Sequence, residues 1–211
     1  MKRIHVSSLK ISIVKFLQGL WPVTKNESKL VFVNGALLFC IVFNYSILRN
    51  LKDTLINTAA TSGPEVTCFI KSWLVLPISI LCFVAITKLS NVLSRKAIFY
   101  YTSLSFLFFF LIFCFFLYPN QQFVHPSITT ITLLQSKYPS LQWLFPIYGI
   151  WSYSLFYIVA ELWGSIMMGL LFWEYANEIT STTEAKRFYP FFILLANMGL
   201  IVAGLYVGRI L

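Results

Sequence analysis

The run AIFYYTSLSFLFFFLIFCFFLY, residues 97–118, carries no charged side chain and offers no polar face. A helix of that length rises about 33 Å, enough to cross the ~30 Å hydrocarbon layer of a bilayer. A helix on a water-soluble core would show a polar stripe with a period of about 3.6 residues. A strand of a membrane barrel would alternate over about ten residues. The run does neither, so the solvent it is built for is lipid.

Working outward, four further apolar spans are read at about 30–50, 66–88, 146–173 and 188–209. Charged residues make up 11% of the 211 residues and the hydrophobic class 58%. An ordinary soluble domain carries about 25% charged residues. Mean hydropathy is +0.78. The expected fold class is an all-α polytopic membrane protein with five transmembrane helices.

Residues 29–211 form the expected transmembrane domain. Residues 1–28 mix apolar residues with Lys2, Arg3, Lys10, Lys15 and Lys25. Lys15 breaks the apolar core that a signal peptide would need, and an interfacial amphipathic helix on the cytoplasmic face fits better. The segment 119–142, with Pro119, Pro126 and Pro139 among polar residues, reads as an external loop.

The net charge of +9 does not call for a nucleic-acid partner, because basic residues of membrane proteins gather in cytoplasmic loops. With the N-terminus inside, the cytoplasmic segments hold Lys2, Arg3, Lys10, Lys15, Lys25, Lys29, Lys88, Arg95, Lys96, Lys186 and Arg187. Arg49, Lys52, Lys71, Lys137 and Arg209 remain for the spans and the other side. That distribution predicts an N-in topology.

Cys40, Cys68, Cys82 and Cys114 contain no C-x-x-C pair and read as small residues of helix packing. His5 and His125 stand far apart. No H-x-x-x-H, Walker A or G-x-G-x-x-G pattern occurs, so zinc hydrolysis and P-loop chemistry have no support. No metal and no cofactor are expected.

Glu161, in FYIVAELWGSIMMG, falls near the middle of the fourth span. A charged side chain at that depth costs about 3 kcal/mol on insertion scales and cannot snorkel to water. It must face a protein interior or an aqueous cavity, as an interhelical hydrogen bond or as a functional acid. Gly164 and Ser165, one turn on, leave room for another backbone or a ligand. A membrane-embedded enzyme using Glu161 would need a second acid or a histidine within the spans, and none is present.

Arg49 and Lys52 are three residues apart and share a helix face near the end of the first span. They serve either as snorkelling anchors or as a cationic spot that draws a polyanion into a cavity. Asp53 stands beside Lys52 to pair with it. Lys71, about five residues into the second span, reads as a snorkelling lysine. Gly199, Ala203, Gly204 and Gly208 allow close approach of another helix.

Three stretches reach further. ILRNLKDTLINT at 47–58, KLSNVLSRKAIFY at 88–100 and SLFYIVAELWGSIMMGLLFWEYANEIT at 154–180, followed by EAKRFYPFF at 184–192, resemble the ATP/ADP translocases of obligate intracellular bacteria and plastids. The likeness runs from Lys29 to Gly204. It implies exchange of ATP for ADP, or nucleotide import, by a carrier of major-facilitator-like fold in a bacterial inner membrane. It further implies that Lys52 and Glu161 are charged residues needed for transport, with Arg49 at a basic position of the same motif.

Members of that family are longer, and such folds bind substrate between two halves. The resemblance therefore implies an incomplete, N-terminal part of a nucleotide carrier. A separate chain would supply the missing spans. The alternative is a non-transporting remnant or a helix-assembly subunit of a split carrier.

Overall fold

A computed structural model describes residues 25–59 and 62–210. The amphipathic segment expected over residues 1–28 lies outside the described residues, apart from its last four, which open the first long helix. All regular structure among the described residues is helical. Five helices are long and apolar enough to cross a membrane: α1 (Lys25–Thr58), α2 (Pro64–Leu89), α3 (Arg95–Leu117), α5 (Trp151–Ile179) and α6 (Thr182–Ile210). A shorter helix, α4 (Ile128–Lys137), stands between α3 and α5.

Helix starts follow local chemistry. Ser94 Oγ accepts a hydrogen bond from the Ala97 N–H and caps α3. At α6, Glu184 Oε2 reaches back to accept from the Ser181 N–H at 2.8 Å. That is the returning half of a capping box, written in the sequence as S-T-T-E.

The fourth span, expected over about 146–173, is found as Trp151–Ile179, and the expected boundaries differ from the structure in two further places. α1 does not stop near residue 50 but continues to Thr58. Arg49, Lys52 and Asp53 do not interrupt a helix when their side chains have somewhere to go. The stretch 119–142 is not an open loop. Ser127 Oγ accepts from the Thr130 N–H and starts α4, while Pro126 precedes that cap and Pro139 follows the helix end. The prolines punctuate the segment, as residues that bound helices, without preventing one.

α1 is flanked by α6 along most of its length and by α5 toward the Thr58 end. The α1–α6 contact is close at Gly199, where an added Cβ would lie 2.9 Å from the Phe39 carbonyl oxygen. Ala203 is fully buried. Gly204 and Gly208 face open space, so Gly199 and Ala203 alone among these four residues carry the expected helix packing. α5 is the most enclosed helix, with Tyr157, Ala160 and Phe172 wholly buried. α3 is the reverse: Phe108, Phe115 and Phe116 are exposed on a surface suited only to lipid.

The four cysteines are unpaired thiols. Cys40, Cys68 and Cys114 are exposed and only Cys82 is half-buried. Packing is therefore not what most of them do.

Candidate functional site

Lys52 is set on the last two turns of α1 with Leu55 and Ile56 on the same side, and those two side chains are buried against the core. The lysine follows them in: its relative exposure is 1%. A bare ammonium at such a position would be very costly, so its partners decide whether the arrangement stands.

Lys52 Nζ donates a hydrogen bond to Asp53 Oδ1 at 2.8 Å and lies 3.0 Å from Glu161 Oε2 on α5. The same ammonium sits 3.9 Å above the centre of the Tyr157 ring. Tyr157 precedes Glu161 by four residues, so one face of α5 presents ring and carboxylate together. Asp53 is a neighbour in sequence, and only the Tyr157 and Glu161 contacts tie Lys52 to another helix.

The two carboxylates are not equally buried. Side-chain exposure is 26% for Glu161 and 40% for Asp53. Glu161 Oε2 is itself buried and makes no hydrogen bond of good geometry among the described residues, so its link to Lys52 is an ion pair rather than a directed bond. Lys52 is thus one ammonium shared between two carboxylate groups.

The structure thus joins Lys52 and Glu161, which the sequence singled out separately. It sets Arg49 apart: that side chain is exposed on α1 and makes no hydrogen bond or ion pair among the described residues. Three residues along a helix turn the side chain by about 300°, leaving the two about 60° apart. That angle is enough to put Lys52 inside and Arg49 outside.

Lys71 is exposed, yet it comes close enough to the Tyr157 hydroxyl to act on it electrostatically. The buried hydroxyl closes no hydrogen bond of standard geometry among the described residues. The space expected beside Gly164 is filled by the Tyr45 ring of α1, with which any Cβ there would collide. From that glycine α5 widens into π-helical turns, over Gly164–Leu171.

Tyr157 is the participant that sequence reasoning missed. Its signal was the Y-x-x-x-E spacing, one of many aromatic spacings in this chain. No group of three or more His, Cys, Asp or Glu side chains that could hold a metal occurs among the described residues.

A family model described as TLC ATP/ADP transporter matches residues 6–210. The chain is 43% identical to ADP,ATP carrier protein 3 of Rickettsia typhi over 92% of its own length and 38% of that protein. It is 42% identical to ADP,ATP carrier protein 1 of Rickettsia bellii, covering 91% of this chain and 38% of that one. The chain therefore spans well under half the length of these curated relatives. No solved structure matches.

Proposed function

Because the chain belongs to the TLC ATP/ADP transporter family, we propose that it forms the N-terminal part of a nucleotide transporter. The transporter exchanges ATP for ADP, or imports nucleotides, across a bacterial inner membrane. In this reading it works by alternating access in a major-facilitator-like fold, with the N-terminus cytoplasmic. The remaining spans, in the same or a separate chain, complete the path.

One observation carries the reading: a fully buried lysine shared between the carboxylates of Asp53 and Glu161. An ammonium has three donors and can exchange one acceptor for another. A nucleotide phosphate that takes the place of Glu161 on Lys52 would release the ionic tie between α1 and α5. Binding would then favour a different packing of the two helices, which is the differential contact a ligand needs to shift a conformational equilibrium.

Two carboxylate groups already share Lys52, so a polyanion that displaces one of them needs other cations for the rest of its charge. Further cations are required, and the spans that complete the path are their source. Within this chain Lys71, which reaches the Tyr157 hydroxyl, and Arg49, exposed one turn before Lys52, are available to contribute.

The complete burial of Lys52 favours a second reading, in which the pair only locks α1 to α5 in a non-transporting remnant or assembly subunit. Labelled-ATP uptake separates the two. The chain is produced with the remaining spans of a Rickettsia relative, and uptake is normalised to the carrier present in the membrane. Lys52→Ala is expected to weaken uptake below saturation and Lys52→Arg to retain part of it. Equal uptake by Lys52→Ala and the parent chain leaves only the locking role.

A further inference from the structure

A cavity of about 760 Å³ lies beyond Lys52 toward the end of α1, where Leu55, Thr58 and the following Ala59 form part of its wall. Leu55, three residues beyond Lys52, and Tyr153, four residues before Tyr157, both line it. Its volume falls within the range of about 300–1,000 Å³ typical of small-molecule sites. The remainder of the wall comes from the segment between α3 and α5 and includes Tyr118, Gln121, Gln122 and His125.

Among the described residues no lysine, arginine, aspartate or glutamate lines this space. A phosphate placed there would find no counter-charge. What the cavity offers is flat surface and amide chemistry. The Tyr118 and Tyr153 rings stand 6.3 Å apart with their planes 33° from parallel.

The polar groups divide into committed and free ones. His125 Nε2 is engaged with Ser152 Oγ at 2.6 Å. Gln121 Oε1 accepts from the Tyr153 hydroxyl, which leaves its amide N–H groups available. Gln122 is exposed and makes no hydrogen bond among the described residues, so it keeps a donor and an acceptor side by side.

That pairing is selective. On the N7 edge a carboxamide matches the amino donor and ring-nitrogen acceptor of adenine, whereas guanine presents two acceptors there; the choice therefore belongs to a base that turns this edge, not its Watson–Crick edge, toward Gln122. Aromatic faces accept any base by stacking. The tyrosines therefore supply surface and Gln122 supplies the choice.

We propose that this cavity receives the adenine ring of a nucleotide whose phosphates extend along α1 and α5 toward Lys52. The inference rests on the nucleotide-transporter reading above and adds to it where the uncharged end of the substrate sits. It also adds which residue distinguishes one purine from another.

The test is photolabelling with 8-azido-ATP of membranes containing the chain together with the remaining spans of a Rickettsia relative, followed by peptide mapping of this chain. ATP, GTP and inorganic triphosphate serve as competitors. ATP-protected label is expected within residues 118–131. Gln122→Leu, which removes no hydrogen bond of the folded chain, should weaken ATP competition by between about twofold and about tenfold, the range of one hydrogen bond. It should also narrow the margin of ATP over GTP and leave triphosphate competition unchanged. Tyr118→Ala, at another exposed position, should weaken ATP in the same way.

ATP-protected label on a different segment, with parent-like ATP competition in both variants, overturns the adenine site and leaves the transporter reading standing. Equal weakening of ATP and triphosphate by Gln122→Leu also overturns it, because a base contact cannot be felt by a ligand without a base. Absence of any ATP-protected label on the parent chain counts against the transporter reading and removes this inference with it.

Discussion

Lys52 Nζ lies 3.0 Å from Glu161 Oε2 across the α1–α5 interface, and the lysine is buried to 1% exposure while the glutamate side chain keeps 26%. The asymmetry fixes what each substitution does. Removing the carboxylate leaves Lys52 with Asp53 and the Tyr157 ring. Removing the lysine leaves two carboxylates facing each other with no cation between them.

Lys52→Met is therefore expected to destabilise the chain by about 3 kcal/mol. This is the low end for breaking a buried pair, since both carboxylate side chains keep part of their surface uncovered. Glu161→Gln should cost less. Lys52→Met combined with Glu161→Gln should recover part of the loss, because the second change removes a carboxylate that the first left unpaired. Thermal unfolding in detergent measures the cycle. Strict additivity would show that the 3.0 Å approach contributes nothing to stability.

The ring of Tyr157, 3.9 Å from the ammonium, makes a separate contribution. Tyr157→Phe keeps the aromatic face and deletes a buried hydroxyl that closes no hydrogen bond of standard geometry among the described residues but lies within electrostatic reach of Lys71, so its cost should be small. Tyr157→Leu removes the face. The expected cost is about 2 kcal/mol from the desolvated cation–π contact, besides the lost volume. If the two variants unfold alike, the ring acts only as filler.

Much of this site was legible in the sequence, for a reason specific to membranes. An acid in an apolar span draws attention at once, and so does a basic residue just past the end of another span. Lys52 and Glu161 were found that way, each alone, and Asp53 was read as the neighbour of Lys52 that it is. Their union was not legible, because it depends on how α1 and α5 pack, which no local pattern states. Arg49 appeared equivalent to Lys52 at a spacing of three, and the 60° between them separated a buried position from an exposed one. Tyr157 was hidden among aromatic residues that mostly face lipid or core. Gly164 was seen as a gap, and only the structure shows Tyr45 in it. The helix over Ile128–Lys137 was missed because prolines on either side suggested a loop.

His125 lies outside the spans, and its burial lowers its affinity for a proton below the ordinary histidine value of about 6.5. The folded chain holds it neutral against Ser152 and the edge of the Tyr153 ring. Below about pH 6.5 the unfolded chain takes up a proton that the folded chain refuses. The contribution of His125 is thus complete above that pH and declines as pH falls through it toward the folded value. His125→Gln should flatten this part of the profile. Unfolding temperatures between about pH 5 and pH 8, parent against variant, give the difference. A parallel decline in both would assign the pH dependence to another group.

The last prediction concerns sidedness. Arg187 forms a two-pronged ion pair with Glu27, its shorter contact at 2.9 Å, which brings the starts of α1 and α6 to the same end of the bundle. Arg95 donates to the Glu174 carbonyl at 3.4 Å, so the start of α3 and the last turns of α5 stand beside each other. Lys88 and Lys96 flank that same α2–α3 turn. The described basic residues among those assigned to one side, Lys29, Lys88, Arg95, Lys96, Lys186 and Arg187, thus lie toward one end of the helices. Excess lysine and arginine mark the cytoplasmic side, and that rule predicts an N-in topology. Two exposed positions that cap no helix, Ser136 on α4 and Thr183 on α6, report on opposite ends. After replacement of the four native cysteines, Ser136→Cys should react with a membrane-impermeant maleimide in intact cells. Thr183→Cys should react only once the membrane is opened. The reverse pattern would place the basic end outside and overturn the orientation, while leaving the helix packing and the Lys52–Glu161 pair as they are.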